Sequence, residues 1–89
     1  MMEGRRLILN DGTVIENGEA GYASGFLWLY FRGYTIAQAS VLFCDPNVTE
    51  RIVFQYGDME DVYEGYTECM VIKIDADGRN AVCLTKGDE

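Results

Sequence analysis

Phe26-Leu27-Trp28-Leu29-Tyr30-Phe31, followed after a short link by Thr35-Ile36-Ala37-Gln38-Ala39-Ser40-Val41-Leu42-Phe43-Cys44, is the stretch that decides the fold. The first run is rich in aromatic residues and bounded by Gly25 and Gly33. It is apolar at both parities, which predicts a central strand covered on both faces. The second run switches to a helical period. Ile36, Ala39, Ser40 and Phe43 lie on one face, and Val41 and Leu42 broaden it. Thr35 and Gln38 stand at the spacing of a capping box, and Asp45-Pro46 ends the helix because proline disfavours helical geometry at the residue before it. A helix this short must dock on the sheet to be stable.

Outward from this centre the pattern is strands joined by turns. On the N-terminal side, Leu7-Ile8-Leu9 and Val14-Ile15 flank Asn10-Asp11-Gly12-Thr13, a hairpin signal because glycine takes positive φ without strain. Asn17-Gly18-Glu19-Ala20-Gly21 interrupts the return strand as a turn or bulge, and Tyr22 to Gly25 carries the breakers Ser24 and Gly25. On the C-terminal side, a strand within Val48–Tyr56 turns at Gly57-Asp58 into Met59–Glu64, and Gly65 bends the chain. Thr67–Ile74 alternates Met70, Ile72 and Ile74 against Cys69, Val71 and Lys73. Asp75 to Arg79 turns it into Ala81–Lys86, with Val82 and Leu84 inward, and Gly87-Asp88-Glu89 is a polar tail. The expectation is one compact domain over residues 1–89, of α+β class and β-rich. It is a mostly antiparallel sheet or small partial barrel with one short helix packed on it.

The chain has 89 residues, with seven basic side chains, fifteen acidic ones and no histidine, for a formal charge of −8. Such a balance repels phosphate backbones and anionic lipid, so neither direct nucleic-acid binding nor membrane binding is expected. The commonest general base and metal ligand is missing. Ser24 and Ser40 have no histidine to activate them, and no glycine-rich segment ends as a phosphate loop does. No catalytic residue, cofactor site or metal site is assigned, and the expected function is non-enzymatic. Asp75-Ala76-Asp77-Gly78-Arg79-Asn80 is the nearest approach to a calcium loop. Its glycine stands at the fourth position and no acid follows at the bidentate one, so it reads as a polar turn. Cys44, Cys69 and Cys83 are odd in number and widely spaced, which suits reduced thiols acting as small apolar residues. With no signal peptide in the N-terminal stretch, the expected location is the cytoplasm.

Charge is not spread evenly. Five of the fifteen acids, Asp58, Glu60, Asp61, Glu64 and Glu68, fall beside Tyr56, Tyr63 and Tyr66 with no basic residue among them. Tyrosine buries a large rigid ring while keeping a polar tip, so this hairpin is the candidate interaction face for a protein partner or for self-association. A solvated hairpin with cross-strand tyrosine pairs is the simpler reading of the same residues.

Four pieces taken together resemble a known group. They are Leu7 to Thr13 with its Asp11-Gly12-Thr13, Gly25 to Tyr30, Asp45-Pro46 with Thr49-Glu50-Arg51-Ile52, and Tyr63-Glu64-Gly65-Tyr66-Thr67. The chain resembles small proteins encoded by phages and prophages of Gram-positive gut bacteria. That resemblance implies a product of virion structural or assembly genes and carries over no catalytic residues. A second expectation from the acidity is a small phage counter-defence inhibitor that mimics nucleic acid and blocks a nucleic-acid-binding host protein.

Overall fold

The turns at Asp11-Gly12, Ser24-Gly25, Gly57-Asp58 and Asp75–Arg79 each join an antiparallel pair. The computed structural model describes residues 4–87, so Met1–Glu3 and the tail residues Asp88 and Glu89 lie outside it. β1 (Arg5–Ile8), β2 (Val14–Glu16), β5 (Arg51–Tyr56) and β6 (Met59–Glu64) form a first sheet in the order β2-β1-β5-β6. β3 (Glu19–Ala23), β4 (Phe26–Phe31), β7 (Glu68–Ile74) and β8 (Asn80–Thr85) form a second in the order β3-β4-β8-β7. Every pairing is antiparallel, and the two sheets do not close into a barrel.

The core lies between the sheets. Leu7, Ile15, Ile52 and Phe54 of the first pack with Leu27, Leu29, Phe31, Val82 and Leu84 of the second. The helix α1 (Ile36–Phe43) adds Ala39 and Phe43 and packs on β7 and β8, with Phe43 set 5.3 Å from Phe31, ring to ring. The capping box forms as expected. Gln38 N–H donates to Thr35 Oγ1 at 3.0 Å, and Thr35 N–H donates to Gln38 Oε1 at 2.8 Å. Asn80, buried at the start of β8, clasps the loop before the helix. Its amide donates to the Tyr34 carbonyl at 2.8 Å, and its Oδ1 accepts from the Tyr34 N–H at 3.2 Å.

Several local expectations change. Asp45-Pro46 ends α1 but also starts α2 (Pro46–Thr49), with Asp45 as N-cap and proline at the first helical position, where its missing N–H is no loss. Val41 does not widen the docked face, because it is 78% exposed and only Ala39 and Phe43 of α1 are buried. The segment read as a turn or bulge at Asn17–Gly21, with breakers to Gly25, contains a whole strand, β3. Asn17, at φ 62°, turns the chain from the first sheet to the second. Only Ser24 and Gly25 turn it back, both at positive φ. Gly18 is there for closeness, since a Cβ on it would stand 2.7 Å from Leu7 Cδ1. In β7 a bulge between Cys69 and Val71 breaks the expected alternation, so Cys69 and Ile72 pack on the core together. Of the three cysteines, Cys83 is buried and Cys69 half-buried, but Cys44 at the helix C-cap is exposed.

β4 is covered on its two faces by different means. Leu27, Leu29 and Phe31 meet the core. On the other face no second layer of described residues lies over the sheet. Trp28 and Tyr30 stand beside Cys83 and Ala81 of β8 in register, and these small residues are buried while the rings are half-buried. Lys73 Nζ lies 5.9 Å from the Trp28 ring and the Arg79 guanidinium 4.6 Å from that of Tyr30. The strand thus closes much of its own outer face, leaving Phe26 39% exposed at the end.

Candidate functional site

The candidate residues fall on the β5–β6 hairpin, the link to β7 and the first residue of β7, and the strand pleat sorts them. Side chains alternate across a strand, so Asp61 and Tyr63 point to one face of β6 and Glu60, Val62 and Glu64 to the other. The tyrosines take the core side. Tyr63 and Tyr56 pack against the core, and Tyr66 is buried at 7% exposure. Tyr66 makes edge-to-face contacts with Tyr63 at 6.1 Å and Tyr22 at 6.3 Å, and Lys86 Nζ lies 5.5 Å from its ring. Tyr56 stacks on Phe54 at 4.7 Å and donates a hydrogen bond to Asp61 Oδ2 at 3.1 Å.

These placements shift the phenols upward. The hydrogen bond to Asp61 raises Tyr56, and its burial adds to the effect. Burial comes first for Tyr63, followed by the charge of Asp61, and burial comes first for Tyr66. All three therefore act at neutral pH as packed rings with neutral hydroxyls. The acids Asp58 and Glu60 are exposed, Glu68 is exposed at the start of β7, and Glu64 pairs with Arg51 at 3.5 Å. The structure thus does not bring the eight residues to one surface.

What it does bring together on the acid-bearing side was not singled out from the sequence. In register, Val14 of β2 lies beside Ile8 of β1, Ile8 beside Val53 of β5, and Val53 beside Val62 of β6. One aliphatic row therefore crosses all four strands of the first sheet on the face turned from the core. Val14 and Val62 are each 43% exposed, Ile8 is half-buried and Val53 is buried in the middle. Beside the row run Glu16, Arg6, Gln55 and Glu60, with Gln55 Nε2 donating to Glu60 Oε2 at 2.9 Å. The Arg51–Glu64 pair lies on its other side. The signal was present as one outward apolar residue per strand, but only the register aligns the four.

The Asp75 turn is closed by its own groups. Asp75 Oδ1 accepts from the Asp77 and Arg79 N–H groups at 2.9 and 3.0 Å, and Oδ2 meets Arg79 Nε and Nη2 at 3.1 Å each. The Arg79 N–H is the largest cause holding its carboxyl below the usual range. Among the described residues no group of three or more acids or cysteines is placed to hold a metal ion. No described helix is long and apolar enough to cross a membrane. No family model, curated protein or solved structure matches the chain.

Proposed function

We propose that the protein is a non-enzymatic interaction module that docks a protein partner on the outer face of its first sheet. The observation that carries this is the row Val14–Ile8–Val53–Val62 with its charged margins. An apolar centre inside a polar rim is the anatomy of a protein interface, and Glu60 and Glu64 of the sequence-derived face belong to that rim. The resemblance to phage and prophage proteins favours a partner among virion structural or assembly proteins. The experiment is recovery of the chain with purified virions and with the products of neighbouring structural genes, using the native chain and Val62→Lys. Recovery with the native chain, lost at least about tenfold in the variant and level with salt, supports the reading, because a charge at an apolar centre is costly to bury. Absence from virions, or full retention by Val62→Lys, overturns it.

The second reading, a nucleic-acid mimic blocking a host protein, is favoured by one observation. Asp58 and Glu60 on the hairpin and Glu68 beyond it are exposed and lie outside the ion pairs found among the described residues. Partner binding by that route falls steeply with salt.

A further inference from the structure

Among the described residues four strands have an open edge, and three of these edges are guarded. β2 is three residues long. β6 carries Glu60, Asp61 and Glu64. β7 has a bulge and Lys73, and α1 packs against it. Short length, charge and bulges are the ordinary protections of a sheet edge. β3, Glu19-Ala20-Gly21-Tyr22-Ala23, has neither short length nor a bulge. Its one charge, Glu19, is already paired with Arg5 at 3.3 Å. The two-residue turn at Ser24-Gly25 makes Ala23 and Phe26 the closing hydrogen-bonded pair, so Gly21 and Glu19 also bond to β4. The N–H and C=O of Ala20 and Tyr22 therefore point away from β4. Among the described residues no backbone hydrogen bond reaches them from another element.

We propose that β3 is a self-association edge, pairing antiparallel with β3 of a second copy of this chain about a two-fold axis at Gly21. The argument for a second copy is self-complementarity. In that register Ala20 faces Tyr22 of the other copy, and the symmetric exchange makes four backbone hydrogen bonds. Tyr22, 56% exposed, is set beside a small residue rather than a second ring. Glu19 faces Ala23, so no like charges oppose each other. The axis falls on Gly21, where the chains approach closest and where a built Cβ finds nothing within 4 Å on the chain's own side. The result is one continuous eight-stranded sheet, and such strand addition draws its affinity from main-chain bonds. Two chains of charge −8 repel each other, so the dimer strengthens as salt rises. This edge lies in the other sheet from the proposed partner face and does not depend on it.

The test is sedimentation equilibrium of the native chain, Gly21→Lys and Val62→Lys, with amide exchange of the native chain at low and high concentration. Gly21→Lys opposes two ammonium groups at the axis, and its own Cβ has room. The expected result is a native species of twice the monomer mass, favoured by salt, retained in Val62→Lys and halved to monomer in Gly21→Lys. The Ala20 and Tyr22 amides should slow at least about tenfold as concentration rises, since protection follows bond formation. A native chain that stays monomeric at millimolar concentration overturns the proposal. So does a dimer in which those two amides exchange freely, whether or not Gly21→Lys folds.

Discussion

The outer faces of the two sheets meet the same problem in opposite ways. Among the described residues neither has a second layer over it. On the second sheet, Trp28 and Tyr30 stand beside Ala81 and Cys83, and Lys73 and Arg79 lie over the rings. Large beside small, capped by cations, covers the middle of that face, while Phe26 and Val71 at its margins stay 39% exposed. On the first sheet the corresponding row is Val14–Ile8–Val53–Val62, short side chains on every strand with no aromatic ring among them. It stays half-open and depends on its charged margins for solvation. A surface rich in aromatic residues is thus not always an open one. What matters is whether the neighbouring strand supplies small residues that let the rings lie down.

The sharpest way to break this comparison is to truncate one residue on each face. Trp28→Ala removes the ring beside Cys83 and should lower unfolding free energy by about 2–4 kcal/mol, a little below the range for a fully buried aromatic. Val62→Ala, at a 43% exposed position, should cost less than about 1 kcal/mol. Urea unfolding of the two variants checks both. Equal costs would mean that the two faces are packed alike.

A second comparison uses the thiols as reporters. Cys44 is exposed and should label at pH 8 at a rate typical of an accessible thiol. Cys69 is pushed up to about 11, chiefly by burial, and burial also raises Cys83, so both should label slowly. Trp28→Ala should speed Cys83 labelling by about tenfold or more through local opening and leave Cys69 slow. Mass-resolved labelling separates the three sites. If Cys83 is unaffected, Trp28 is not what closes that face.

The smallest effect concerns the turns. Asp11 in the β1–β2 turn and Asp75 in the β7–β8 turn both have carboxyls lowered from an ordinary value of 3.8, by the Thr13 and Arg79 N–H groups respectively as the largest causes. A lowered folded value gives stability that is present above the unfolded value and lost as pH falls through the folded one. Tm should therefore be level from neutral pH to about 5 and fall below about 4. Asp75→Asn should flatten that fall more than Asp11→Asn, because only Asp75 also holds an arginine, the one lying over Tyr30. Thermal melts across this range decide between them.

Much of the fold was legible along the chain because its signals are local. The hairpin turns at Asp11-Gly12 and Gly57-Asp58, the capping box at Thr35 and Gln38, and inward Val82 and Leu84 each depend on neighbours a few residues away. β3 was missed because alanine and glycine carry little strand preference of their own, and β4 imposes the strand by pairing. Asn80 read as a turn residue, whereas its carboxamide serves a loop 46 positions earlier. The clustering of tyrosines with acids was visible, but strand pairing in β6 decides that Asp61 stays with Tyr63 while Glu60 and Glu64 face the other way.

The sequence alone therefore determined the class, the antiparallel connections and the acidity, because period, turn chemistry and charge are properties of short windows. The tertiary structure decided that there are two sheets and not one, that the tyrosines turn inward, and that Val14, Ile8, Val53 and Val62 form a row. Those outcomes depend on register, and register is set by which residues of distant strands can share one buried face.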